Sequence, residues 1–295
     1  MPRLRTTASP STELYYEDRG QGQAIVLVHG WPLSGAMWES QVNALVDAGF
    51  RCVTYDRRGF GWSGRPIGGY DYDTFASDLN DVVTSLDLNN FTLVGFSMGG
   101  GEVARYIGRY GTEHVSKAVL LSSVPPFLLK TNDNPEGLDG KLFDGFIDAI
   151  KKDRINFLTG FLQQFYNRAP GSTTPSDDVL AYNKSIAWAA SPLGTQQCVD
   201  AFGRTDFRSD LAKFDLPTLV IHGDQDKIVP FDASGKRSAA LIKNARLEVI
   251  KGAPHGLTAT HGERVTELLA SFLKETPAEK SAPRAHRKPD DTIRI

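Results

Sequence analysis

Gly95-Phe96-Ser97-Met98-Gly99-Gly100 sets a lone serine among glycines at the end of an apolar run, Phe91-Thr92-Leu93-Val94. The stretch reads either as an ordinary turn or as a nucleophile elbow, G-x-S-x-G, a tight strand-to-helix bend that lifts a serine hydroxyl above a sheet. A serine hydroxyl is a weak nucleophile at its unperturbed pKa. An elbow therefore needs a base, an acid that orients the base, and donors for an oxyanion. His255, in Gly252-Ala253-Pro254-His255-Gly256, follows the apolar segment 246–250 and is the candidate base. His222-Gly223-Asp224-Gln225-Asp226 closes the segment before it and offers two carboxylates. Either aspartate can hold an imidazole in one tautomer, and residue type alone does not separate them from each other or from turn-forming aspartates. Serine, then aspartate, then histidine is the chain order in which this set accompanies such an elbow. One oxyanion donor is expected to be the N–H of the residue after the nucleophile, Met98, and the other an N–H in the loop after an early strand. His29-Gly30-Trp31-Pro32 follows Ala24–Val28, which makes Trp31 that second donor. Pro32 has no N–H and biases Trp31 toward extended backbone.

The elements that must position these groups follow from periodicity. Short apolar strand candidates alternate with helix-length amphipathic stretches, the pattern of an α/β protein with a mostly parallel central sheet flanked by helices. Leu14–Glu17 and Ala24–Val28 lie either side of a Gly-rich turn and are expected to form an opening hairpin. Further strands are expected at 51–55, 91–96, 115–122, 216–222 and 246–250, and helices at 35–48, 72–86, 97–110, 231–242 and 261–273. From 124 to 214 the rhythm changes to Phe, Trp, Leu and polar residues at helical spacing, which predicts a helical cap inserted between two core pieces, 1–123 and 215–274. After Lys274 the composition turns to Pro, Ala and charge, with too little apolar area to offset the cost of ordering, so 275–295 is expected to be a disordered charged tail.

Composition excludes several functions. With 33 basic against 35 acidic residues the formal net charge is −2, which offers no footprint for nucleic acid or an anionic membrane and favours a small or neutral substrate. Cys52 and Cys198 form neither a disulfide framework nor a C-x-x-C site. No apolar run reaches the roughly 18 residues of a membrane span, and the first residues lack an apolar signal core, so a soluble cytoplasmic protein is expected. Gly59, Gly61 and Gly64 imitate a dinucleotide fingerprint, with Asp78 and Asp81 near the matching offset. Such a motif must open a helix, whereas Pro66, Gly68 and Gly69 follow here, which is loop chemistry. The six histidines lack ligand spacing, so no metal, haem or other cofactor is indicated.

Five fragments together, VLVHGWPLSGAMWE, YDRRGFGWSGRP, LVGFSMGGGEVARYI, TLVIHGDQDKIVP and GAPHGLTATH, resemble the α/β-hydrolases described as cofactor-free (non-haem) chloroperoxidases, arylesterases and perhydrolases. The likeness covers about 12–274, and the charged tail departs from the family pattern. It implies an α/β-hydrolase fold with Ser97 as nucleophile, His255 as base, Asp226 as acid, and Trp31 and Met98 as oxyanion donors. It also implies small ester or carboxylic acid substrates handled through an acyl-Ser97 intermediate, no cofactor, and a homo-oligomeric assembly. Where hydrogen peroxide replaces water, the product is a peracid that oxidises bromide or chloride away from the protein. Within the expected cap, Phe127, Phe143, Phe161, Phe165, Trp188 and Phe202, with Ile228 from the core, are candidates to line an apolar acyl pocket.

Two other readings share these features. A receptor built on a hydrolase scaffold would bind without turnover, and an epoxide or lactone hydrolase would use the same fold, although epoxide chemistry normally places aspartate where Ser97 stands. The Trp31-Pro32 pair suggests control of the acyl acceptor: a Trp31 carbonyl turned toward the pocket can accept a hydrogen bond from peroxide, with Pro32 fixing its direction. Pro32→Leu is expected to change the ratio of perhydrolysis to hydrolysis, measured on one ester with and without peroxide; an unchanged ratio removes Pro32 from that role.

Overall fold

The computed structural model describes residues 1–169 and 171–275. The strands are β1 (Arg3–Arg5), β2 (Glu13–Arg19), β3 (Ala24–Val28), β4 (Arg51–Tyr55), β5 (Phe91–Phe96), β6 (Val115–Leu121), β7 (Thr218–Gly223) and β8 (Ala245–Ile250). They form one sheet in the order β1-β2-β4-β3-β5-β6-β7-β8, antiparallel at β1-β2-β4 and parallel from β4 onward. The flanking helices are α1 (Glu39–Asp47), α2 (Tyr72–Ser85), α3 (Met98–Tyr110), α8 (Gly235–Leu241), α9 (Leu257–Thr260) and α10 (Gly262–Lys274). In the interval between β6 and β7 lie α4 (Gly140–Phe165), α5 (Asp177–Ala189), α6 (Pro192–Arg204) and α7 (Arg208–Leu211). No helix among the described residues is long and apolar enough to cross a membrane. The expected tail lies outside the described residues beyond Glu275.

Local chemistry explains most element ends. Asp71 caps α2 by accepting from the Thr74 N–H, and the helix buries Phe75, Leu79, Val82 and Val83 at helical spacing. α10 buries Val265, Leu268, Leu269 and Phe272 in the same pattern. α4 breaks at Asp153, whose backbone leaves helical geometry at φ −158°, ψ 87° and whose carboxylate caps the Asn156 N–H at 3.0 Å. β3, β5 and β7 are buried along their whole length, as expected of parallel strands covered on both faces.

The opening hairpin does not form. β2 pairs with β1 and with β4, Tyr16 opposite Tyr55 and Arg19 opposite Cys52, and β3 lies beyond β4. β3 carries no polar face and belongs in the sheet centre, whereas half-exposed β2 suits the margin. β1 was not anticipated. The expected helix at 35–48 is a short 3₁₀ turn, Gly35–Trp38, followed by α1, and that at 231–242 is a 3₁₀ turn, Phe231–Ala233, followed by α8. The glycines of the false dinucleotide motif stay in a loop, where Gly61 at φ 50° packs on the Asp56 carboxylate.

Strand order decides where a site can arise. β4 lies on one side of β3 and β5 on the other, so the chain reverses direction across the sheet there and opens a crevice at the carboxyl ends of β3 and β5. The elbow fills that crevice with Ser97 at φ 54°, ψ −119°, a conformation costly for a residue with a side chain. Two glycines make it possible. A Cβ on Gly95 would lie 2.5 Å from the Gly99 carbonyl oxygen, and one on Gly99 would lie 2.4 Å from the Val28 carbonyl oxygen. Alanine in a helix is ordinarily favoured over glycine by about 1 kcal/mol, but at Gly99 the clash is with strand backbone that cannot give. Gly99→Ala is therefore expected to destabilise by about 1–3 kcal/mol, while Gly160→Ala, exposed in α4 with open space around it, is expected to stabilise by about 0.5–1 kcal/mol. Chemical denaturation of both variants checks the opposite signs.

Candidate active site

Four loops at strand carboxyl ends converge on Ser97. The Ser97 Oγ lies 2.8 Å from His255 Nε2, and His255 Nδ1 lies 2.7 Å from Asp226 Oδ2. All three side chains are buried. The second Asp226 oxygen, Oδ1, accepts from the Ile228 N–H at 2.9 Å and the Val229 N–H at 2.8 Å. His222 approaches Oδ2 at 3.3 Å through Nε2, which is 2.9 Å from the Val229 carbonyl. Burial pushes the Asp226 carboxyl up, but the coulombic pull of the His255 and His222 rings and their hydrogen bonds outweigh it and hold it well below the usual carboxylate range. An ionised carboxylate only accepts, so His255 carries its proton on Nδ1, and Nε2 is free to accept from the Ser97 hydroxyl.

The two carboxylates that residue type left equivalent are separated by geometry. Asp226 faces His255, whereas exposed Asp224 accepts from the Gly252 N–H at 2.6 Å and braces the turn before His255. The Gln225 N–H donates to the Ala253 carbonyl, and the Gly256 N–H to the Phe165 carbonyl at the end of α4. The His255 ring sits between Phe96, centroids 5.1 Å apart, and the edge of Phe165, 4.8 Å away. The imidazole is thus held by packing as well as by Asp226.

Trp31 and Met98 flank the serine. Gly30 packs so closely that a Cβ there would lie 3.0 Å from the Ser97 Cβ. Among the described residues neither the Trp31 N–H nor the Met98 N–H donates to a protein acceptor, and no donor meets the Trp31 carbonyl. Met98 opens α3, whose positive end faces the same space. Two unspent amides beside a buried hydroxyl form a place where negative charge on a small oxygen would be stabilised.

Ser97, Trp31 and Met98 lie on the wall of a narrow cavity of about 30 Å³. Of the expected pocket residues, Phe143, Phe161, Phe202 and Ile228 line it. Phe127, Phe165 and Trp188 do not. Phe127 lies under the Arg208 guanidinium, Phe165 packs against His255, and half-exposed Trp188 donates its Nε1–H to Thr159 at the surface. Helical spacing marks apolar residues without saying which neighbour they meet. The lining also includes Leu142 and Phe146, on the same face of α4 as Phe143, and Val124 and Leu128 just past the end of β6. The first pair could have been found from the i, i+4 pattern and the second from proximity to a strand's carboxyl end. Trp31 joins the two halves: its ring meets Phe161 at 5.0 Å and Phe202 at 5.4 Å, and its Nε1–H donates to the Thr195 carbonyl of α6.

A sheet of this order, with a serine elbow after β5 and a histidine after β8, defines the class of the protein. The family model described as "alpha/beta hydrolase fold" matches residues 23–261. The non-heme chloroperoxidase of Kitasatospora aureofaciens is 46% identical over 275 residues, 91% of this chain and 98% of that one. The bifunctional esterase/perhydrolase of Acinetobacter calcoaceticus is 38% identical over 276 residues, again 91% and 98%. The crystal structure of a bromoperoxidase from Bacillus anthracis, 51% identical, superposes with a TM-score of 0.88 over 93% of this chain and 100% of that one. The chain belongs to the α/β-hydrolase fold family, in the group that holds the non-heme chloroperoxidases and esterase/perhydrolases. It is an enzyme of that type.

Proposed function

We propose that the protein is a serine esterase for small uncharged carboxylic esters that can also pass the acyl group to hydrogen peroxide. What carries the proposal is the unbroken run Asp226–His255–Ser97 beside two unspent amides. Ser97 Oγ attacks the acyl carbon as His255 Nε2 takes its proton. The Trp31 and Met98 N–H groups receive the oxyanion, and Asp226 stabilises the imidazolium. His255 then protonates the departing alcohol, leaving acyl-Ser97. Water restores the serine and gives the acid; hydrogen peroxide, deprotonated by the same imidazole, gives the peracid. That peracid transfers its outer oxygen, with its proton, to bromide or chloride in solution, yielding carboxylate and hypohalous acid. The names of the relatives, esterase/perhydrolase and non-heme chloroperoxidase, accord with this sequence of steps.

The cavity supports the substrate class. Apart from the Ser97 hydroxyl its lining is carbon-rich, with no charged side chain to neutralise a carboxylate or ammonium on the acyl part. Residues 124–214 act in this reading as a cap, with α4 and α6 supplying the aromatic wall over a serine held by the core.

Incubation with a fluorophosphonate followed by mass spectrometry is expected to place a single adduct on Ser97; folded protein without one ends the esterase proposal. Labelling without turnover of p-nitrophenyl acetate would instead favour a receptor. Asp226→Asn is expected to lower kcat by about 10³–10⁴-fold through loss of the imidazole's orientation. Asp224→Asn is expected to stay within about threefold, since its carboxylate meets backbone rather than the base.

A further inference from the structure

Behind the cavity lining the interior holds a charged pair that the steps above leave unused. Arg57 follows β4 and Glu102 lies in α3; both side chains are fully buried, with Arg57 Nε 2.7 Å from Glu102 Oε2. Arg57 Nη2–H donates to the His29 carbonyl at 2.8 Å, and the Arg57 backbone N–H donates to His29 Nε2 at 2.9 Å. A backbone N–H can only donate, so His29 Nε2 bears no proton. The proton is on Nδ1, which donates to the Gly30 carbonyl at 2.9 Å. Burial and the Arg57 cation hold His29 well below the ordinary imidazole pKa, consistent with this neutral form. The Gly30 carbonyl accepts a second bond, from the Leu33 N–H at 3.0 Å.

The Gly30 carbonyl and the Trp31 N–H belong to one planar trans peptide, in which they point in opposite directions. Holding the carbonyl from two sides therefore aims the amide. The other candidate donor, Met98 N–H, stands on α3, the helix that carries Glu102. From this arrangement we propose that Arg57 and Glu102 are positioning residues for the oxyanion site: Glu102 ties Arg57 to the helix of Met98, and Arg57 ties His29, and through it the Trp31 amide, to the same point. This rests on the serine-esterase reading above.

The pair is poorly suited to a purely stabilising role. Arg57 Nη1 and Glu102 Oε1 have no hydrogen-bond partner among the described residues, and a buried ion pair replaced by apolar side chains of like volume is often no less stable. Stability and positioning can therefore be separated. Arg57→Lys keeps the charge balance but loses the planar fork that reaches Glu102 and His29 together. The double variant Arg57→Met/Glu102→Leu removes both charges. Each is compared with wild type for unfolding temperature, fluorophosphonate labelling at Ser97, kcat and KM on a p-nitrophenyl ester, and inhibition by an alkylboronic acid, whose tetrahedral adduct with the serine places an oxygen in the oxyanion site.

Folded variants are expected to lose about 10- to 100-fold in kcat and a comparable factor in boronic acid affinity, with KM changed less than about threefold. Wild-type kcat and boronic acid affinity in either folded variant overturn the positioning role and leave the esterase reading standing. So does a loss confined to KM, or a fall in kcat without a matching loss of boronic acid affinity. A wild-type protein that does not label at Ser97 overturns both.

Discussion

The site depends on one close approach. The turn that lifts Ser97 is pressed against the end of β3 until Gly99 touches the Val28 and His29 carbonyls and Gly30 touches Phe96 and Ser97. Segments that follow adjacent parallel strands can come that near only where the residue at the contact is glycine on one side. This contact brings Trp31, after β3, and Met98, at the start of α3, to the wall of the same cavity as Ser97. Serine at positive φ is the conformational cost, and the hydrogen bonds of the Ser97 backbone to Leu121 and Val124 hold it in place. Once that contact exists, the remaining demands are modest: an imidazole and a carboxylate delivered from the loops after β8 and β7, strands that neighbour one another in the sheet.

Because the contact needs glycine, it was legible in the sequence. Gly95 and Gly99, which bracket Ser97, have a side chain ruled out by backbone a few tenths of a nanometre away, and Gly30, before Trp31, by the Phe96 ring and the Ser97 Cβ. Less legible was anything decided by partners rather than by local conformation. Asp224 and Asp226 are alike in type and two residues apart; which one meets His255 depends on the turn that lays the Ile228 and Val229 amides on Asp226 Oδ1. The opening hairpin failed for a related reason. A Gly-rich turn allows two strands to pair, but burial decides whether they do, and β4 offered β2 a partner that left β3 covered on both sides. In the helical interval, spacing identified apolar faces, yet Phe143 and Phe165 on the same helix go to different tasks because α4 bends at Asp153 and crosses from the cavity to the His255 loop.

The cavity and the layer below it are built on opposite principles. Above Ser97, Trp31 and Phe161, Phe202 and Phe143 make an apolar wall whose polar atoms are turned outward, as the Trp31 Nε1–H is turned to Thr195. A neutral acyl group enters such a space with little desolvation cost, and water left there has few partners. Outside the cavity lining, buried polar groups are concentrated: His29, Arg57 and Glu102 near Trp31, His222 and Asp226 near His255. Polar groups in a low-dielectric interior are costly, so their clustering away from the cavity lining calls for a function that apolar packing cannot supply.

That function is direction. Van der Waals packing sets distances well but leaves the rotation of a peptide plane or an imidazole weakly determined, whereas a hydrogen bond fixes both. In the proposed reaction, an amide that meets a developing negative charge and a ring that presents Nε2 rather than Nδ1 to a hydroxyl are orientation problems before they are proximity problems. In each case one polar group is held on its far side so that its near side is aimed: the Gly30 carbonyl for the Trp31 amide, and His255 Nδ1 for Nε2. Apolar surface faces the cavity and polar surface faces the groups around Ser97 and His255, so on the proposed reaction the cavity side can vary with the acyl group without disturbing Ser97, His255 and Asp226.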